Sequence, residues 1–320
     1  MQIKELKNYI GQHFFGLYRC GQVRKGESPR ALLFNLHDAT GVCEARLEIK
    51  SDQNVKFDAG DVVSLMGIVE PDGYDVRVRV WSCVASEDPD IPSWYLLPRV
   101  WIPNRASPAF DRLLHLLDRL EPVPVRAFID RLFADLAIAR SYLRVPASRE
   151  HHHAGQGGLL IHSVECAEAA EELARLFLPK HERALGVLGA LVHDISKTRI
   201  LVEQGSNRQA ISGVSQEALN LEVLAPYLRC LDQEWPDGGD ALRKMLAPSR
   251  NPGSSGWAPL LLTDFIKYID HLSTGADLRE QVFRSTPTFR RCTRTKQGQL
   301  LVRVLPPNHA ITRPQVKTTS

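Results

Sequence analysis

Apolar positions recur at every second residue near the start of the chain and at every third or fourth residue through its middle. Runs rich in Val, Leu and aromatics at residues 14–23, 31–36, 42–49, 62–69 and 75–81 read as five strands. Turn residues stand between them, at Asp38-Ala39-Thr40-Gly41 and Pro71-Asp72-Gly73. Five short strands within about seventy residues predict a small closed barrel. Prolines 89, 92, 98 and 103 then interrupt either period, so residues 91–106 read as a linker. Beyond Ser107, two groups fall at helical spacing: Phe110, Leu113, Leu114, Leu117 and Leu120, then Phe128, Leu132, Leu136 and Ala139. The pattern predicts helices to about residue 283. Residues 299–305 predict one short strand in the tail, and the last ten residues are expected to fray. The fold class is therefore multidomain α+β: a barrel over 1–90, a linker over 91–106, an all-α bundle over 107–283 and a tail over 284–320.

Composition changes this picture little, and charge changes it at one end. Of 320 residues, 43% are hydrophobic and 24% charged, which is ordinary for a folded chain and argues against global disorder. No apolar run approaches the ~20 residues of a membrane span, and Met1-Gln2-Ile3-Lys4-Glu5-Leu6 has no signal-peptide core. A cytoplasmic protein with no membrane partner is expected. Six scattered cysteines without a Cys-x-x-Cys pair argue against a disulfide framework or a zinc ribbon. Residues 284–320 hold eight Arg or Lys, Arg290 and Arg291 among them, and no Asp or Glu. The rest of the chain carries 32 basic and 37 acidic residues, so the tail is a positive region on a mildly acidic body. Such a region suits a polyanion, nucleic acid above all.

The candidate chemistry lies in the histidines. His151, His152 and His153 are consecutive, His162 follows Gly157-Gly158, and His193-Asp194 ends the apolar run 184–192. A His-Asp pair closing a buried helix is costly without a partner. A divalent cation would be one, since imidazole nitrogen and carboxylate oxygen suit manganese, iron, zinc or magnesium. A later helical segment holds Asp264 and Asp270. Its stripe of Leu262, Phe265, Ile266, Ile269 and Leu272 favours Asp270 as the carboxylate that points inward.

Two resemblances follow from these motifs. Over residues 12–85, the hairpin Leu36-His37-Asp38-Ala39-Thr40-Gly41 and the strand opening Gly60-Asp61-Val62 resemble oligonucleotide-binding (OB) barrels of the anticodon-binding type. That implies stacking and phosphate contacts to a single strand, with Phe14, Phe15, Tyr18, Arg19, Arg24 and Lys25 as candidates. The order His153, Gly157-Gly158-Leu159-Leu160-Ile161-His162-Ser163, His193-Asp194-Ile195-Ser196-Lys197 and a late helical aspartate resembles the HD superfamily of metal-dependent phosphohydrolases. Within it the chain is similar to the OB-plus-HD 3′-to-5′ exoribonucleases (YhaM type) and to the HD-type domain of conjugative relaxases (TraI type, mobility class H). The resemblance implies His162, His193, Asp194 and Asp270 as ligands of a divalent ion, manganese first. It also implies Lys197, His152 and His153 as catalytic contacts to phosphate or ribose. The partner implied is single-stranded RNA or DNA, and a homo-oligomer is left open. One departure matters: no histidine lies between Asp194 and Asp270, where the exoribonucleases carry a histidine pair. Arg250 is the candidate phosphate contact in its place. The leading expectation is a 3′-to-5′ exonuclease. Its rivals are a relaxase-like DNA-processing protein, a binding module with an inactive HD fold, and a nucleotidase.

Overall fold

The computed structural model describes residues 1–26, 28, 30–49, 56–86, 90–149, 153–202, 210–247 and 260–305. Strands β1 (His13–Lys25), β2 (Ala31–Asp38), β3 (Gly41–Glu48), β4 (Val62–Asp72) and β5 (Asp75–Ala85) close a barrel in the order β1-β2-β3-β5-β4. All ladders are antiparallel except β3 with β5. A five-stranded closed barrel followed by helices is consistent with an OB barrel joined to a helical domain.

The turns explain the residues the sequence singled out. Asp38 Oδ1 accepts from the backbone N–H groups of Thr40 (2.7 Å) and Gly41 (3.0 Å), while Oδ2 accepts from Ile3 N–H (2.7 Å). One carboxylate thus closes the β2–β3 hairpin and holds the chain's first turn against it. Gly73, at φ +61, makes the β4–β5 hairpin. The barrel interior is packed by Tyr18, Phe34, Leu36, Leu47, Leu65, Val78 and Val80.

This packing corrects three expectations. Tyr18 is fully buried, with its hydroxyl donating to Met1 O at 2.9 Å, and Phe14 lies beside it in the core. Neither presents a ring for a base to stack on. Arg19 is buried too, donating to Leu96 O (3.0 Å) and Gly60 O (2.7 Å), so its guanidinium is committed to the protein's own carbonyls. Phe15 points outward and is 59% exposed; Arg24 and Lys25 are exposed, with Arg24 paired to Glu44 at 2.5 Å.

The segment read as a linker is packed rather than loose. Short 3-10 turns at Ser93–Leu96, Arg99–Trp101 and Asn104–Ala106 bury Trp94, Leu96 and Leu97. Ala39, at the tip of the β2–β3 hairpin, donates its N–H to Tyr95 O at 2.8 Å and joins the helical core.

Nine α-helices follow among the described residues: α1 (Ser107–Asp118), α2 (Val123–Ala134), α3 (Leu136–Arg144), α4 (Gly158–Phe177), α5 (Lys180–Val192), α6 (Lys197–Ile200), α7 (Gln216–Glu234), α8 (Pro236–Leu246) and α9 (Leu261–Arg284). Helix α5 is central: every residue from Ala184 to Val192 is buried, against α4, α8 and α9. In the tail the single expected strand is a hairpin, β6 (Cys292–Arg294) with β7 (Leu300–Val302). Arg303 ties it to α9 by lying 4.7 Å over the Phe283 ring. The expected frayed end, residues 311–320, lies outside the described residues. All six cysteines are free, and no helix among the described residues is long and apolar enough to cross a membrane.

Candidate metal centre

Three helices and one turn bring the candidate ligands together. Helix α4 begins at Gly157-Gly158 for steric reasons. Gly157 sits at φ +73, and a Cβ on Gly158 would lie 1.8 Å from His153 O and 2.9 Å from Ala147 N. That close start fixes the rotation of α4, which buries His162 one turn in. Cys166 lies one turn further on the same face, and Glu165 three residues from His162.

Helix α5 ends at His193. The turn beyond it is clamped by Asn220 of α7, whose Nδ2 donates to His193 O (2.5 Å) and whose Oδ1 accepts from Ser196 N–H (2.8 Å). Asp194 is buried there, accepting from Lys197 Nζ and Gln216 Nε2. Asp270 comes from the middle of α9. Asp264 is exposed on that helix, as its place off the apolar stripe predicts, while Leu272 of the same stripe also proves exposed.

The ligand atoms converge. His162 Nε2 lies 3.2 Å from His193 Nε2, 3.4 Å from Asp194 Oδ2 and 3.2 Å from Asp270 Oδ1. His193 Nε2 lies 3.5 Å from Asp194 Oδ2 and 3.9 Å from Asp270 Oδ1. Two donors each about 2.1 Å from one ion stand roughly 3–4 Å apart, so the spacing fits a shared cation. Cys166 Sγ is 3.8 Å from His162 Nε2, and His162, Cys166 and His193 together form a group able to hold a metal.

The electrostatics agree. Burial pushes the Asp194 carboxyl up, but His193, Lys197 and His162 outweigh it and hold it below the usual carboxylate range. Burial also opposes Asp270, but the adjoining His162 and His193 rings prevail and hold it well below the usual carboxylate range. His193 shows the reverse: burial pushes it down, while Asp194 and Asp270 prevail and raise it. Two ionised carboxylates thus face the imidazole nitrogens of His162 and His193. His193 Nδ1 sits 2.8 Å from Ala190 O, where only an N–H can bond, so the neutral ring leaves Nε2 as an acceptor facing the cluster.

Of the catalytic candidates, Lys197 is bound to Asp194 and stands at the edge of the centre. His153 is 8% exposed at φ +48, its ring centroid 5.9 Å from that of His162 and its Nε2 3.0 Å from Glu165 Oε2. His152 and Arg250 lie outside the described residues. Arg290 and Arg291 are exposed beside β6, distinct from this cluster in sequence and element. Sequence reasoning missed Glu165, Cys166, Gln216 and Asn220. Only the first two carried a signal, their helical spacing from His162.

Comparison with known proteins adds one family match. Residues 112–205 match the TraI_2 family, described as "Putative helicase". The match spans α1 through α6 and includes His162, Cys166, His193, Asp194 and Lys197. No curated protein matches the chain. Among solved structures, a murine DNA binding protein bound with double-stranded DNA aligns at 19% identity and TM-score 0.24, over 28% of this chain and 50% of that one. A replication protein A heterotrimer bound to single-stranded DNA aligns at 11% and 0.23, over 28% and 80%. The aspartyl tRNA synthetase from Entamoeba histolytica aligns at 12% and 0.31, over 94% and 76%. This chain thus spans about half the length of the first of these, and the low TM-scores carry no further argument. Its middle third is similar to TraI_2.

Proposed function

We propose that the chain is a divalent-metal-dependent phosphodiesterase acting on single-stranded nucleic acid, with an HD-type helical bundle as its scaffold. The observation that carries the reading is the convergence of His162 Nε2, His193 Nε2, Asp194 Oδ2 and Asp270 Oδ1 in one cluster, with His162 and Asp194 buried and Asp270 reaching it from a half-exposed position. Such a cluster of acceptors is costly unless a cation shares it. These four residues would hold the ion, with Cys166 at its margin. A divalent ion bound there supplies Lewis-acid polarisation of a phosphoryl oxygen and a more acidic water. Manganese is the expected ion; magnesium, iron and zinc suit the same donors.

The chain's own residues do the rest. Lys197 holds Asp194 in place and keeps a positive charge beside the centre, where phosphate charge would gather. His153, held by Glu165, stands beside the centre with its ring next to that of His162, where it would border a bound phosphate. Outward-facing Phe15, Arg24 and Lys25 on the barrel, and Arg290 and Arg291 beside the tail hairpin, are the surfaces proposed to hold the strand.

Two modes of cleavage compete. The resemblance to OB-plus-HD exoribonucleases favours 3′-to-5′ shortening, whereas the TraI_2 match over residues 112–205 supports a relaxase-like nick in DNA to a comparable degree. End-labelled single-stranded RNA and DNA of one sequence, incubated with manganese, test both. Progressive loss from the 3′ end is the expected result, and internal cuts without shortening would transfer the reading to the relaxase-like mode. If neither strand is cut with any of the four metals, the enzymatic reading fails.

A further inference from the structure

Behind the centre, away from the ligand atoms, the other nitrogen of His162 meets a chain of two polar side chains from separate helices. His162 Nδ1 lies 3.1 Å from Ser273 Oγ of α9, and Ser273 Oγ donates to Glu165 Oε2 of α4 at 3.4 Å. Glu165 also accepts from His153 Nε2 at 3.0 Å. A serine hydroxyl has one hydrogen. If that hydrogen goes to Glu165, Ser273 can only accept from His162. We infer that Ser273 and Glu165 are positioning residues for the centre: Ser273 accepts the Nδ1–H of His162, Glu165 fixes the Ser273 hydroxyl, and Nε2 is thereby turned toward His193, Asp194 and Asp270.

This inference rests on the proposed metal centre, and it reaches further. It assigns roles to two residues outside the ligand set. It also makes Glu165 the shared anchor of His162 and His153, so the arrangement that orients the ligand also orients the neighbouring imidazole. Partners of this kind fix ring orientation and tautomer, and their loss typically weakens metal binding ~10–100-fold.

The test compares Ser273→Thr with Ser273→Val, two side chains of one shape that differ in the hydroxyl. In metal-free protein labelled with 15N-histidine, and with His162→Gln assigning the signals, native protein and Ser273→Thr should show a protonated His162 Nδ1 whose proton exchanges slowly. Ser273→Val should lose that slow exchange. Manganese affinity, read by titration calorimetry, should fall ~10–100-fold in Ser273→Val and stay within about threefold of native in Ser273→Thr. A bare Nδ1 in the native protein, or equal behaviour of the two variants, would overturn the inference. If the native protein binds no metal while the Nδ1 proton behaves as described, the positioning role stands and the metal reading alone falls.

Discussion

Arg19 and His193 show how burial decides what a charged residue is for. Arg19 spends its donors on Leu96 O and Gly60 O, so Arg19→Met leaves the buried Leu96 carbonyl and the half-buried Gly60 carbonyl short of a partner, at about 1–3 kcal/mol for the buried one. Denaturant unfolding should show that loss, with nucleic-acid affinity per folded molecule unchanged; reduced binding at unchanged stability would return Arg19 to a strand-contacting role. His193 is raised above its ordinary value of 6.5 by Asp194 and Asp270 after burial is overcome. In the metal-free protein that attraction contributes stability below about pH 6.5, and it is lost as pH rises through the raised value. Metal must displace the proton, so manganese affinity is expected to keep climbing above pH 6.5. Titrations at several pH values check this, and an affinity already flat at pH 6.5 would contradict it. The grouping of His162, His193, Asp194 and Asp270 was expected from the resemblance to the HD superfamily, since a His-Asp pair by itself more often sits at a surface. Ser273 was not, because its role appears only when α9 lies against α4.

At the scale of elements, the start of α4 bears the most strain on sequence choice. Gly158→Ala would drive a methyl into His153 O and Ala147 N, both backbone atoms that cannot swing aside. A loss of roughly 2–3 kcal/mol is expected in thermal or denaturant unfolding, together with weaker metal uptake as His162 shifts. A neutral outcome would mean the helix start is not held as described. The barrel strands were readable from period-two alternation, yet β1 was misassigned at its core. Phe14, Phe15, Leu17 and Tyr18 occupy both parities, so alternation alone does not say which face is inside. Arg19, between the core residues Tyr18 and Cys20, is buried as well because Leu96 and Gly60 lie against its guanidinium. Helical periodicity fared better, because a core stripe such as Phe110, Leu113 and Leu117 repeats over several turns. Its limit is Leu272, which matches the stripe of α9 but is exposed, because beyond Ile269 the packed face runs through Ser273 and Asp277 instead.

In the whole molecule, the barrel is seated on the helices through a proline-spaced segment that the sequence presented as a linker. Prolines announced the absence of regular structure, but not that Trp94 and Leu97 would be buried in its place. The basic hairpin β6–β7 stands at the far end of α9 from the start of the helix, with exposed Arg290, Arg291, Arg294 and Lys296 and no carboxylate of its own. If it holds a strand, removing residues 284–320 should weaken binding and reduce the salt slope by about 0.7 for each phosphate that the hairpin had neutralised. An unchanged slope would make the hairpin a solvated end. The expectations for metal uptake and for cleavage depend on the centre binding a cation. The most direct measurement is manganese binding to the metal-free protein by electron paramagnetic resonance, beside His193→Ala and Asp270→Asn. One tightly bound equivalent in the native protein, lost in both variants while their folds persist, is the predicted result. No bound manganese, or binding that survives both substitutions, would contradict the account.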